Sequence, residues 1–238
     1  MEKIAYVLWR DPHVSAQEFR HYLRTEVADK LLALGARGVQ VNVADDAVLP
    51  AAGLRQVTTR PQMDGVLWLW VDSAINQFRE PFDNVISAAI ARVAGYLVTE
   101  SQPILNTRHP AKPGERTAGF SQLAFLKRPP CLTPEAWLDT WHNSHTQIAI
   151  DTQDNFQYVQ NVVVRPLTYA APVYDAIVEE CFPSDAMNNQ HAFYNAVGDD
   201  AKFQRHLQTM IDSCQRFIDF DKIDVVPTSQ YVIKSPFA

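Results

Sequence analysis

Three side chains on one predicted helix bring a histidine next to an aromatic surface. Trp137, Trp141 and His145 lie four residues apart, so a helix places them in one stripe that ends in the imidazole. An imidazole in that position can hold or pass a proton near neutral pH. The alternative is a structural histidine packed at a helix end, where the helix dipole favours its charged form.

A second histidine, His142, lies three residues before His145 on the same helix. Both imidazoles could therefore lie near one face, but a metal site needs further ligands, and no zinc or iron ligand spacing occurs nearby. We expect no metal here. A solvent-exposed His142 is the simpler interpretation, and we retain Trp141 and His142 as candidate substrate contacts.

Two adjacent glutamates interrupt an apolar strand pattern. Neighbouring strand residues face opposite ways, so one of Glu179 and Glu180 should point between sheets and the other toward helices. A buried carboxylate is unfavourable unless it is paired, and its pKa tends to rise, so both are candidate catalytic groups. On an exposed edge strand both would simply be solvated.

Two polar residues of another predicted strand could hold a substrate oxygen. Tyr158 can donate a hydrogen bond to a carbonyl or phenolate oxygen, and Asn161 follows on the same strand. Asn161 has a counterpart, Asn42, earlier in the chain, so a structural role explains it more economically.

The elements that carry these residues recur in the chain. Ser15, Phe19 and Leu23 match Thr133, Trp137 and Trp141 at a constant offset of 118 residues, and later blocks match at offsets that drift as loop insertions would cause. Each copy is predicted to follow the ferredoxin-like order βαββαβ. Strands are expected at 3–10, 38–43, 64–72 and 96–101, then at 120–128, 157–165, 174–182 and 228–234. Helices are expected from the N-caps Ser15 and Thr133 to about residues 34 and 150, and at 73–94, 185–196 and 199–219.

Each predicted sheet has one face that its own helices leave uncovered. We therefore predict an α+β fold in which two ferredoxin-like units pack their sheets into one intrachain α/β barrel, and two ferredoxin-like domains side by side are the alternative. Residues 1–105 would form the first half, residues 106–118 a polar linker, and residues 119–238 the second half.

Three segments resemble the EthD-like family of the dimeric α/β-barrel group. These are a basic strand end with a Leu-Thr-Pro-Glu cap (126–135), a Trp-x-x-x-His helix segment (141–145) and a Tyr-x-Gln-Asn strand (158–161). The resemblance is good over residues 120–234 and weak over residues 3–104. Family members are usually single units that dimerise, so the resemblance implies that this chain carries its own partner.

The resemblance implies a chemistry as well as a fold. It points to ether breakdown or to processing of aromatic polyketides, including decarboxylation and oxidation of anthrone-like compounds, and it matches His145 to the family's histidine. Val27, Trp68 and Leu69 stand in the first copy where His145, Glu179 and Glu180 stand in the second. We therefore expect one site per chain, in the second half, with the first half as scaffold.

The leading hypothesis is a cofactor-independent oxidoreductase or lyase of aromatic compound degradation. His145 would be the acid/base, Glu179 or Glu180 would orient or charge it, and Tyr158 and Asn161 would hold an oxygen. Haem bound by a histidine, as related α/β barrels bind it, is one alternative. A non-catalytic binding module for hydrophobic metabolites is the other.

Composition limits the partners. The 238 residues carry a net charge of −6 without a run of like charge, which disfavours nucleic acid and anionic membranes and leaves a small hydrophobic substrate as the expected partner. Three cysteines without paired spacing, and no signal or spanning segment, predict a cytoplasmic protein. Whether the fused barrel forms a homodimer is left open.

Overall fold

Eight antiparallel strands close into one barrel in a computed structural model that describes residues 1–237. Ala238, the last residue of the predicted second half, lies outside the described residues. Around the barrel the strand order is β1-β3-β2-β8-β5-β7-β6-β4. The strands are β1 (Glu2–Trp9), β2 (Gly38–Val43), β3 (Gly65–Val71), β4 (Arg92–Ile104), β5 (Phe120–Leu126), β6 (Gln157–Pro166), β7 (Ala176–Phe182) and β8 (Asp224–Lys234).

This order confirms the predicted intrachain barrel. The strands before and after residue 110 form two sheets, β4-β1-β3-β2 and β8-β5-β7-β6, each with the ferredoxin-like order. The sheets join at both edges, where β2 pairs with β8 and β4 pairs with β6. Two ferredoxin-like domains lying side by side would not share these edges, so that alternative is wrong.

Helices lie against the outer faces of both sheets, and the two predicted N-caps both form. The helix predicted at 185–196 is shorter, Gln190–Phe193, and the one predicted at 199–219 ends at Cys214. The Ser15 hydroxyl accepts from the backbone N–H of Glu18 at 3.1 Å, and the Thr133 hydroxyl accepts from that of Ala136 at 3.2 Å. The α-helices are α1 (Ala16–Tyr22), α2 (Ala28–Ala33), α3 (Asn76–Ala89), α4 (Pro134–Thr140), α5 (Thr146–Thr152), α6 (Gln190–Phe193) and α7 (Asp200–Cys214). Short 3₁₀ segments span Asp46–Leu54, Ser184–Met187 and Phe220–Lys222.

The prediction for 73–94 was wrong at its end. It extends the helix through residue 94, whereas α3 ends at Ala89 and β4 begins at Arg92. Ala94 pairs with Val7 of β1 in the sheet, and this ladder outweighs the helical pattern of the preceding residues.

A π-helical turn interrupts each of the two helices that were predicted as continuous. The turns span Leu23–Val27 and Trp141–His145, again 118 residues apart. In the second, the Thr146 N–H bonds the Trp141 carbonyl five residues back, and the Thr146 hydroxyl donates to the same carbonyl at 2.9 Å. Such turns often occur at functional sites.

Alternate strand residues divide the core into a barrel interior and two helix-facing layers. The interior contains Trp68, Phe125 and Ile177. The layer under α1 and α2 contains Leu69 and the layer under α4 contains Val178. Because the side-chain period of a strand is two, neighbouring residues of β7 belong to different compartments.

The segment between the halves lies along β8. The Gly114 N–H donates to the Val232 carbonyl at 2.7 Å, and the Thr117 hydroxyl donates to the Gln230 side chain at 2.7 Å. The predicted division at residues 106–118 stays a prediction, as does the tandem repeat. Within residues 1–237, the helices lack the length and apolar character that crossing a membrane would require.

Candidate functional site

A cavity of about 360 Å³ lies between the outer face of the second sheet and the helices that cover it. Aromatic and aliphatic side chains form most of its wall, among them Trp141, Phe193 and Phe217. Glu180, Tyr158 and His145 also line it. A mostly apolar cavity with a few convergent polar groups is the usual form of a small-molecule site.

Glu180 supplies the carboxylate of this cavity. It points to the helix side of β7, and its Oε1 accepts a hydrogen bond from Asn155 Nδ2 at 2.8 Å. Burial among apolar groups raises the pKa of Glu180 to about 7, although the Asn155 hydrogen bond lowers it. Near neutral pH the carboxyl group therefore populates both its protonated and its ionised form, as an acid/base catalyst requires.

Tyr158 lies on β6 directly opposite Glu180 in the strand register. Its hydroxyl oxygen accepts from Trp141 Nε1 at 3.0 Å and from Gln160 Nε2 at 3.1 Å. Burial, and next the nearby Glu180 charge, raise the pKa of Tyr158 above its usual value. The phenol therefore stays protonated, and its oxygen is the acceptor in the hydrogen bonds from Trp141 and Gln160.

His145 lies at the end of the π turn and is 7 % exposed. Its Nδ1 bonds the Ser213 hydroxyl at 2.9 Å, and its ring packs on Phe217 with centroids 4.6 Å apart. Burial, followed by the charge of Arg216, lowers the pKa of His145 to about 4. The imidazole is therefore neutral at physiological pH. Whether His145 serves the site or is a packed structural histidine stays a prediction.

Glu179 points the other way, into the barrel interior, and is 1 % exposed. It accepts hydrogen bonds at 2.8–3.0 Å from Gln40 and Asn42 of the first half and from Ser121 and Gln230 of the second. The two glutamates thus face opposite sides of the sheet, as predicted, and the solvated edge-strand alternative is wrong. Glu180 faces the cavity, whereas Glu179 links the two halves.

Two further candidate residues lie away from the cavity lining. Asn161 is fully buried on the interior face of β6, and its Nδ2 donates to the Ile177 carbonyl at 2.9 Å. It cannot share a face with Tyr158, because three residues of strand reverse the side. His142 is half-buried against the Trp141 ring, and its Nε2 is buried without a hydrogen-bond partner. Burial lowers the pKa of His142. The expected solvent-exposed position of His142 is therefore wrong.

Two residues that sequence analysis missed support the site. Asn155 holds Glu180, and Ser213 holds His145. Neither stands in a motif, and Ser213 lies 68 residues from its partner, so only the fold brings them together. Across residues 1–237, no three His, Cys, Asp or Glu side chains converge as metal ligands would; the expectation of a metal-free site stays a prediction.

Comparison with protein families finds a match within the second half. Residues 129–221 match the EthD domain. The matched segment contains His145, Tyr158 and Glu180, so the predicted resemblance is confirmed over this stretch. No curated protein matches the chain.

Two solved structures resemble the whole chain. An anthrone oxidase-like protein superposes with a TM-score of 0.53 at 9 % identity, with coverage of 100 % of this chain and 94 % of its own. A candidate monooxygenase from Fusobacterium nucleatum subsp. nucleatum gives a TM-score of 0.48 at 7 % identity, with coverage of 98 % and 92 %. The first likeness extends the fold assignment over both halves.

Proposed function

We propose that this chain, whose residues 129–221 form an EthD domain, is an enzyme that acts by acid/base chemistry on a hydrophobic aromatic small molecule. It would have one site per chain, in the second half. The observation that carries the proposal is Glu180, a carboxyl group with a pKa of about 7 in an aromatic-walled cavity. Titratable groups shifted toward neutral pH by an apolar site are characteristic of catalytic centres.

The chemistry that fits this site is proton transfer at a carbon next to a carbonyl or aromatic ring. Ionised Glu180 takes the proton, and the electron pair of the broken C–H bond delocalises onto the substrate oxygen. The Tyr158 hydroxyl, held by Trp141 and Gln160, donates a hydrogen bond to that oxygen as its negative charge grows. Protonated Glu180 can then return the proton to carbon or to a new oxygen.

Among the reactions left open by the sequence, oxidation is favoured by the fold likeness to an anthrone oxidase-like protein. Its oxidant would be dioxygen, supplied from solution. The carbanion formed by Glu180 transfers two electrons in adding to dioxygen, and protonation gives a hydroperoxide. Loss of the remaining C–H proton with cleavage of the O–O bond leaves a ketone and water, so a CH₂ group and O₂ become C=O and H₂O.

The role of His145 changes under this proposal. A neutral imidazole with a pKa of about 4 is a weak base at neutral pH. Its Nδ1 is occupied by Ser213, and no described residue bonds its Nε2. We assign His145 to orienting the substrate through Nε2 and Glu180 to the proton transfer, in place of the acid/base role first expected for His145.

The test is oxygen consumption and product formation with anthrone as the probe substrate. Glu180→Gln preserves the contact with Asn155 and removes the base, so kcat should fall by about 10²- to 10⁴-fold. The wild-type kcat/KM should rise as the pH increases through 7, because Glu180 ionises. This rise in the pH profile should be absent in the variant. Glu115→Gln, an exposed glutamate outside the cavity, is the matched control. Unchanged turnover of the Glu180 variant contradicts the assignment.

The two alternatives predict different results. A binding module would bind aromatic ligands with equal affinity in the wild type and in Glu180→Gln, and form no product. Haem does not fit the donor set well, because its apolar ring would cover the Glu180 carboxylate without neutralising it. A Soret band on haem addition that is lost in His145→Ala would show that the site binds haem.

A further inference from the structure

One connection of the first half is longer than its counterpart in the second. Val43 pairs with Gly65 across the β2–β3 connection, and Val162 pairs with Ala176 across the β6–β7 connection. The separations are 22 and 14 residues (65 − 43 and 176 − 162), so the first-half connection has eight additional residues. It contains the 3₁₀ segment Asp46–Leu54.

This longer connection crosses to the site of the other half. Gly53, Leu54, Arg55 and Gln56 line the cavity that contains Glu180. The connection is fixed there by β8, because the Gln56 N–H donates to the Val225 carbonyl at 3.2 Å and the Val225 N–H donates back at 2.9 Å. The first half therefore contributes a fixed wall to a cavity whose proposed reacting groups all come from the second half.

Arg55 is the one arginine or lysine among the residues that line the cavity. Its side chain makes one hydrogen bond, from Nη1 to Gln62 Oε1 at 2.8 Å, and no carboxylate among residues 1–237 forms a salt bridge with it. A guanidinium has five N–H donors in a planar fork that matches a carboxylate. Arg55 is solvent-exposed, so most of these donors are hydrated and can exchange water for a ligand carboxylate.

We propose that Arg55 binds a carboxylate on the substrate, so that the enzyme acts on aromatic acids. The inference rests on the proposed function, because it places the substrate in the same cavity. In this arrangement Arg55 holds the acidic substituent at the cavity wall, while the aromatic body extends over Trp141 and Phe217 toward Glu180 and Tyr158. The longer connection thus selects the substrate for a reaction performed by the other half.

The experiment measures binding, not turnover, by isothermal titration calorimetry with naphthoate and its uncharged methyl ester. Wild-type protein should bind naphthoate about tenfold more tightly than the ester, the effect of one charge-assisted contact near solvent. Arg55→Gln should abolish this preference and leave ester binding within about twofold, whereas Arg55→Lys should retain part of it. Arg205→Gln is the control, since it removes the same charge from an exposed position on α7 outside the lining.

The outcomes separate this inference from the proposed function. Equal binding of acid and ester by the wild type overturns the role of Arg55 and leaves the aromatic site standing. If Arg55→Gln loses the same affinity for naphthoate as for the ester, the role of Arg55 is also overturned. The same follows if Arg205→Gln loses as much affinity for naphthoate as Arg55→Gln does. Failure of both naphthoate and its ester to bind the wild type counts against the aromatic site and therefore against both proposals. Loss of naphthoate binding alone in Arg55→Gln supports the inference.

Discussion

Replacing Glu180 should stabilise the protein at alkaline pH while it removes activity. The carboxyl group is buried in an apolar cavity, with one hydrogen bond from Asn155, and its pKa in the folded state is raised to about 7. In the unfolded chain the group ionises at its ordinary pKa of 4.5. A raised pKa for an acid means that folding disfavours the charged form, so the folded state loses stability as the group ionises.

The size of this destabilisation follows from the difference between the folded and unfolded pKa values of Glu180. Each pH unit corresponds to about 1.4 kcal/mol, so the full destabilisation above pH 7 is about 3 kcal/mol. At pH 5 the folded protein still holds the proton, and the destabilisation is less than about 1 kcal/mol by the same linkage relation. Glu180→Gln stays neutral and keeps an acceptor for Asn155, so its stability gain over the wild type should grow between pH 5 and pH 8.

Urea unfolding at both pH values measures this difference directly. The expected result is a gain of about 3 kcal/mol for Glu180→Gln at pH 8 and a much smaller gain at pH 5. The exposed Glu115→Gln should show no gain at either pH. A gain of equal size at both pH values, or a loss at pH 8, would refute the conclusion that Glu180 ionises against an apolar environment.

Three further predictions address other parts of the molecule. Glu179→Ala should lower the free energy of unfolding by about 3 kcal/mol or more in urea titration, since buried donors from both halves lose their acceptor. Ser213→Ala should lower kcat severalfold with little change in KM, because His145 loses its Nδ1 partner, and Ser213→Thr should restore it. Thiol alkylation followed by mass spectrometry should modify exposed Cys131 and spare buried Cys181 until denaturant is added.

The fold was predictable because its signals are local or repeated. Ser15 and Thr133 mark the helix starts through hydrogen bonds within three residues, and both caps form. The order βαββαβ leaves one face of each sheet uncovered, so closure of two sheets within one chain follows from the need to bury that face. The π turns were not predictable, because they depend on where the Thr146 N–H and hydroxyl find an acceptor.

The site was predictable only in part, for a different reason. The sequence shows that Glu179 and Glu180 face opposite ways, but the choice between them depends on partners far along the chain. Gln40 and Asn42 lie more than 130 residues from Glu179 and meet it only across the closed barrel. The same alternation that separates the glutamates also separates Asn161 from Tyr158, and applying it to β6 would have removed Asn161 from the candidates.

The contrast between the two glutamates explains why a single reactive carboxylate is expected. Glu179 has four donor residues around it and a counterpart, Trp68, that fills the same barrel interior in the first half. Glu180 has one donor, and its counterpart Leu69 is fully buried in the apolar layer beside Val27. The helix-facing layer of the first half is packed with aliphatic side chains at this position. In the second half the same layer contains a carboxyl group with only one hydrogen-bond donor. That lack of donors raises the pKa of Glu180 toward neutrality, so binding of a proton, from water or from a substrate, stabilises the folded protein.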